Sequence, residues 1–174
     1  MLVSDLKKLV REIPDYPKPG VKFYDLTPLF KNGAGFRSVI DRLAERFRDD
    51  KIDVIVGIEA RGFMLAAALA HEYGLGIVPV RKAGKLPWRI TGVDYSLEYG
   101  QGRLEVHEDA VAQGQRVLVV DDVLATGGSA AATKTLMERL GARVCGFGFL
   151  LELNFLKGRE RLGSDNVFSL ITYS

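Results

Sequence analysis

The 174-residue sequence predicts an α/β fold, a mostly parallel central sheet flanked by helices. Three observations carry that prediction. The apolar runs DVIVGI (53–58), IVPV (77–80), RVLVVDD (116–122) and VCGFGFLLEL (144–153) are continuous rather than alternating, as strands covered on both faces require. Helical periodicities lie between them, and many of the 19 glycines gather at the ends of the runs, where loops belong. Along the chain, an N-terminal helix is expected first. Residues 11–31 then carry Pro14, Pro17, Pro19, Gly20 and Pro28 around Val21, Phe23 and Tyr24, a stretch too proline-rich for a helix that reads as a covering flap. Phe36, Val39, Ile40, Leu43 and Phe47 recur at helical spacing, as do Ala132, Leu136 and Leu140. Gly62–Tyr73 reads as an alanine-rich helix with Gly74 as its C-cap. Residues 82–106 mix bases, acids and aromatics, and a connection of that length is expected to be a lid or binding arm, irregular with some hairpin character.

One domain over 1–174 is expected, with 1–31 and 82–106 as its two departures from the βα repeat. Twenty-four Lys+Arg against 22 Asp+Glu leave a net charge of +2 without a charge block, so nucleic acid is not expected as a partner. The longest wholly apolar run, Phe63 to Ala70, is far below the ~18 residues of a membrane span. A single cysteine, Cys145, excludes an internal disulfide, and the polar N-terminus lacks a signal-peptide core. A cytoplasmic protein with no membrane partner is expected. His71 and His107 lack metal-ligand spacing, Cys145 reads as core, and Trp88 as an anchor of the arm.

The strongest chemical signal is VLVVDDVLATGGSAAATKTLMERL: an apolar strand ending in Asp121 and Asp122, a small-residue turn (Ala125, Thr126, Gly127, Gly128, Ser129), then a helix. Glycines without Cβ atoms let successive backbone N–H groups approach an anion. The helix start adds about half a positive charge, and Thr126 and Ser129 add hydroxyl donors. The stretch therefore suits a phosphate monoester. Adjacent strand residues point to opposite faces, so the two acids should differ in role, and either could meet the hydroxyls of a sugar carrying that phosphate. A plain strand-to-helix turn with the acids capping the helix is the other reading. No Lys-Ser/Thr pair follows the glycines and no G-x-G-x-x-G opens the first βα unit, so neither nucleotide fingerprint is present.

VVDDVLATGGSA resembles the phosphoribosyl-pyrophosphate signature of the type I phosphoribosyltransferases. GIEARGF (57–63), VRKAGKLP (80–87), YSLEYG (95–100) and LKGRERL (156–162) extend the resemblance to roughly residues 10–172 and narrow it to the adenine-using members. The resemblance implies a single-domain type I phosphoribosyltransferase fold with an N-terminal hood and a long flexible lid loop. The implied reaction is adenine plus 5-phosphoribosyl pyrophosphate giving AMP and pyrophosphate in purine salvage, with Mg²⁺, in a homodimer. Ala125–Ser129 would hold the 5′-phosphate. Asp121 and Asp122 would lie along the ribose hydroxyls and touch the metal only indirectly, through water or those hydroxyls. Ala60 and Arg61 would reach pyrophosphate, with Glu59-Ala60 replacing the Asp-Ser frequent in the family, and Arg81 and Lys85, rather than Lys82, would supply further charge. In many dimeric members a basic residue here serves the neighbouring subunit's site. Glu98 would be the catalytic lid acid, accepting the purine proton or stabilising the cationic sugar, with Tyr99 beside it. Phe23 would stack on adenine while the backbones of Lys22 and Tyr24 read its edge, Tyr24 standing where Arg is frequent. Arg103 and Glu105 read as salt-bridge residues of the arm. Two alternatives are a same-fold enzyme for xanthine, hypoxanthine or orotate, and a non-enzymatic sensor of purine or of the sugar donor.

Overall fold

The computed structural model describes residues 1–96, 101–163 and 165–174. Its elements are α1 (Val3–Lys8), β1 (Arg11–Ile13), β2 (Phe23–Asp25), α2 (Thr27–Lys31), α3 (Gly33–Arg46), β3 (Val54–Ile58), α4 (Gly62–Tyr73), β4 (Gly76–Lys82), β5 (Ile90–Ser96), β6 (Gln101–His107), β7 (Arg116–Leu124), α5 (Gly128–Arg139), β8 (Arg143–Leu153) and β9 (Val167–Tyr173). The chain divides into two compact units, Met1–Arg42 and Leu43–Ser174.

In the first unit β1 and β2 form a short antiparallel ladder with Ile13 opposite Phe23 and Arg11 opposite Asp25. Within the stretch expected to exclude helix, α2 forms with Pro28 in its first turn. There the missing N–H has no intrahelical partner to lose and the ring's fixed φ suits the helix. Asp25 takes the Thr27 N–H and hydroxyl, both at 2.9 Å, and so fixes the step from strand into helix.

The second unit is built on a seven-stranded sheet of order β5-β6-β4-β3-β7-β8-β9. The β4-β3-β7-β8-β9 run is parallel throughout, and β6 joins β4 antiparallel. The expected parallel sheet is present. β3 is buried at every residue, as its unbroken apolar run requires. Val54, Val56 and Ile58 pack with Val117 and Val119 of β7 and Ala132, Leu136 and Met137 of α5. The predicted helix 62–73 is present with Gly74 at φ 65° closing it. β4 departs from the two-face expectation, because Ile77 is 40% exposed. The arm is more regular than its mixed composition suggests: β5 and β6 pair residue for residue from Ile90 opposite His107 to Ser96 opposite Gln101. Cys145, expected in the core, is half-buried, because the β7–β8 register slips there: Val117 faces Val144 and Leu118 faces Gly146. Trp88 is 53% exposed, its ring set edge-on to His107 with centroids 6.2 Å apart.

Candidate active site

A parallel sheet with helices on its faces leaves an open crevice at the carboxyl ends of its strands. Here Asp121 and Asp122 lie among the last four residues of β7, and α5 starts four residues beyond its last residue. The turn between them lines a cavity of about 240 Å³ with Val123, Leu124, Ala125, Thr126, Gly127, Gly128, Ser129, Ala130, Tyr95 and Phe149. Gly127 stands at the N-cap in the left-handed region, φ 77°, a conformation that costs a residue with a Cβ about 1–2 kcal/mol. Among the described residues no side chain caps α5, so the reading in which the acids cap this helix fails, and its first-turn amides are left for another partner. That is the donor arrangement an anion requires.

Part of this turn's shape comes from a segment thirty residues away. A Cβ on Gly158 would collide with the Ala125 carbonyl oxygen and lie 2.8 Å from the Gly127 nitrogen; a Cβ on Gly127 would collide with the Gly158 carbonyl oxygen. Two backbones pack here with nothing between them. Gly158 was not singled out from the sequence for this role; the glycine inside LKGRERL was the only visible sign. Arg159 next to it is tied to buried Glu152 of β8 at 2.6 and 3.1 Å and to the Val167 carbonyl at 2.8 Å, anchoring the segment to the sheet.

The two acids do differ. Asp122 is ion-paired with Arg61 at the N-cap of α4. Asp121 turns its Oδ1 back to accept the Asp122 N–H at 2.9 Å. Burial first, and then the charge of Asp122, push the Asp121 carboxyl well above the usual carboxylate range. Tyr95, read from the sequence as part of the YSLEYG lid motif, lines this cavity, and its hydroxyl is pushed up by burial and then by the Asp121 charge. Gly102, opposite Tyr95 on β6, leaves room for the ring: a Cβ there would lie 2.8 Å from it.

At the end of β3, Glu59 and Ala60 are joined by a cis peptide, with Ala60 and Arg61 exposed. Glu59 accepts the Lys82 N–H at 2.8 Å and the Arg81 Nε–H at 3.3 Å. Arg81 is thus held by a protein carboxylate, and it also donates to the Lys85 carbonyl at 3.3 Å, while the Lys82 and Lys85 side chains are exposed. In the first unit, Phe23 packs edge-on against Tyr16 with centroids 5.2 Å apart, and Lys22 pairs with Glu12 at 2.8 Å. Tyr24 is half-buried opposite Glu12 in the β1–β2 ladder. Glu98 and Tyr99 lie outside the described residues. Among the described residues no group of three or more His, Cys, Asp or Glu side chains is placed to hold a metal ion.

The family described as phosphoribosyl transferase domain matches residues 26–171. An adenine phosphoribosyltransferase of Solibacter usitatus is 54% identical over 98% of this chain and 99% of its own length. Among solved structures, the adenine phosphoribosyltransferase of Thermoanaerobacter pseudethanolicus superposes with a TM-score of 0.96 at 48% identity, over 99% of this chain and 100% of that one. That of Saccharomyces cerevisiae, complexed with an imino-altritol bisphosphate and adenine, superposes with a TM-score of 0.90 at 44% identity, covering 97% of each chain.

Proposed function

Because the chain belongs to the phosphoribosyl transferase domain family, we propose that it is an adenine phosphoribosyltransferase, making AMP and pyrophosphate from adenine and 5-phosphoribosyl pyrophosphate. The observation that carries this reading is the uncapped α5 start behind the Gly127 turn, beside the carboxylate pair at the end of β7. The amides of Thr126–Ser129 and the two hydroxyls take the 5′-phosphate, and the dipole of α5 favours its charge. Asp121 and Asp122 face the ribose, Asp122 also orienting Arg61.

In the reaction the bond from the anomeric carbon to pyrophosphate oxygen breaks, a bond to an adenine ring nitrogen forms, and adenine gives up one proton. The anomeric carbon gains positive charge as pyrophosphate gains negative charge. Groups fixed in advance at both places lower the barrier. Arg61, held at the start of α4, is set to meet the leaving group with the exposed Lys82 and Lys85, while Arg81 braces their turn. Adenine recognition is assigned to Phe23 and to the backbones of Lys22 and Tyr24, and handling of the purine proton or of the cationic sugar to Glu98 with Tyr99.

Mg²⁺ fits this donor set as part of the substrate. Two adjacent carboxylates, with no third His, Cys, Asp or Glu grouped with them among the described residues, are too few for a protein cage, but they would suit an ion carried by the diphosphate and met through water or the ribose hydroxyls. Bound in that way, it would supply positive charge against the diphosphate. A homodimer in the cytoplasm completes the reading; Met64, Ile77 and Trp88 are exposed apolar side chains available to a second copy, and among the described residues no helix is long and apolar enough to cross a membrane.

The test is an assay with adenine, hypoxanthine, xanthine and orotate in competition for the same sugar donor. AMP should dominate the products. IMP, XMP or orotidylate in its place, or no nucleotide at high enzyme concentration, overturns the reading.

A further inference from the structure

The basic turn after β4 is held from two sides by carboxylates that contact no site in the proposed reaction. On one side Glu59 accepts from the Lys82 amide and from Arg81. On the other, Glu105 of β6, only 8% exposed and directly opposite Arg81 in the β4–β6 ladder, accepts the Gly84 N–H at 3.0 Å through Oε2. The Ala83 N–H in between goes to the Arg103 carbonyl at 3.2 Å. Three consecutive amides, those of Lys82, Ala83 and Gly84, are therefore spent inside the protein. These three amides cannot serve an anion, and what the turn offers is the charge of its lysine side chains. Their placement depends on what fixes the turn.

Glu105 does not act alone. Its Oε1 accepts the Arg103 Nε–H at 3.1 Å, and Arg103 Nη1 donates to Asp94 at 3.1 Å across the β5–β6 ladder. The ribbon is shaped for this side chain. A Cβ on Gly92, opposite Glu105, would lie 2.5 Å from the guanidinium, so Arg103 lies over the backbone here in space that a side chain at residue 92 would take. The Gly92 carbonyl in turn accepts from Arg139 of α5 at 3.0 Å. An unbroken path of charge-assisted hydrogen bonds thus runs from Asp94 through Arg103 and Glu105 to the backbone of the basic turn. Such bonds are about twice as strong as neutral ones, and a buried partner makes their loss costlier.

Resting on the function proposed above, we infer that Glu105 is a positioning residue for the pyrophosphate half of the site, fixing the Lys82–Lys85 turn and tying it through Arg103 and Asp94 to the β5–β6 ribbon. Glu105 touches no substrate. Its effect belongs to ligands that carry the diphosphate and not to AMP, which lacks it.

The experiment compares Glu105→Gln with the wild-type enzyme. A glutamine keeps one acceptor oxygen and so cannot serve Gly84 and Arg103 together. KM for 5-phosphoribosyl pyrophosphate in the forward direction and for pyrophosphate in reverse should rise about tenfold, with the Kd of AMP within about twofold of wild type, since loss of a charge-assisted bond acts only on the ligand half it positions. Asp94→Asn, at an exposed side chain on the edge strand β5, keeps the measurement open if Glu105→Gln folds poorly. It should raise the same two KM values by about two- to threefold and leave AMP binding alone. Unchanged pyrophosphate KM in both variants, or AMP binding weakened in the same proportion, overturns the inference. A wild-type enzyme that forms no AMP strikes at the function beneath it instead, and the two failures are distinguishable.

Discussion

Gly158→Ala isolates the role of backbone packing beneath the Ala125–Ser129 turn, because residue 158 carries no side chain that a ligand could touch. The added Cβ would stand 2.8 Å from the Gly127 nitrogen and closer still to the Ala125 carbonyl oxygen. Ordinary contact requires the turn to retreat by about 0.5 Å or more, and misplacement approaching 1 Å can cost about 100-fold in rate. The overpacking itself costs about 1–3 kcal/mol, well within the stability of a domain of this size, so the protein should stay folded. The expected result is kcat/KM for 5-phosphoribosyl pyrophosphate reduced by about 30- to 100-fold, with Tm lowered by only several degrees. Steady-state kinetics with the sugar donor varied at saturating adenine, beside a thermal melt, would measure both. Full activity in a folded variant would refute the claim that the Ala125–Gly127 backbone geometry is set by contact with Gly158.

Arg61→Ala removes the guanidinium held by Asp122 and should cost about 100-fold in kcat, the usual loss for one preorganised charge donor, measured in single turnover; a loss below about threefold contradicts its role at the leaving group. Asp121→Asn should raise the unfolding midpoint at pH 7 while lowering turnover. Burial and Asp122 hold this carboxyl above its usual range, so its ionisation works against the folded state as pH rises past the ordinary value, and a less stable variant in thermal melts would contradict that sign. Asp53 shows the opposite shift. Hydrogen bonds from the Arg116 side chain and then its amide lower it to about 2. Its contribution is present above the ordinary value of 3.8 and is lost as pH falls toward 2. Urea melts of Asp53→Asn from pH 5 to 2.5 should therefore show a shallower loss of stability than wild type, and parallel curves would argue against this coupling.

The strands and α4 were legible because their signals are local. An unbroken apolar run marks a strand buried on both faces, and Gly74 marks a helix end through its own backbone angle. The carboxylate pair and the glycine turn were legible for the same reason, lying within ten residues of one another. α2 was not, because a count of prolines cannot distinguish a proline in a helix interior from Pro28 in a first turn. The regularity of the β5–β6 ribbon was hidden as well. Its stability comes from pairs such as Asp94 with Arg103, whose charged residues read as loop composition until the partner strand is placed beside them. Gly158 packs against the Ala125–Gly127 backbone and Tyr95 lines the same cavity from a distant strand, and no spacing rule within one segment records such an arrangement. Arg81 was expected to supply charge to the ligand; its hydrogen bonds to Glu59 and to the Lys85 carbonyl depend on partners that only the β3–β4 pairing brings beside it.

The central claim is that the amides opening α5 grip the 5′-phosphate of the sugar donor. The most direct measurement is a crystal structure with AMP, with occupancy of the phosphate as the readout. The account predicts phosphate oxygens within hydrogen-bonding distance of the Thr126–Ser129 amides; a phosphate bound away from this turn, with those amides still facing solvent, would contradict it.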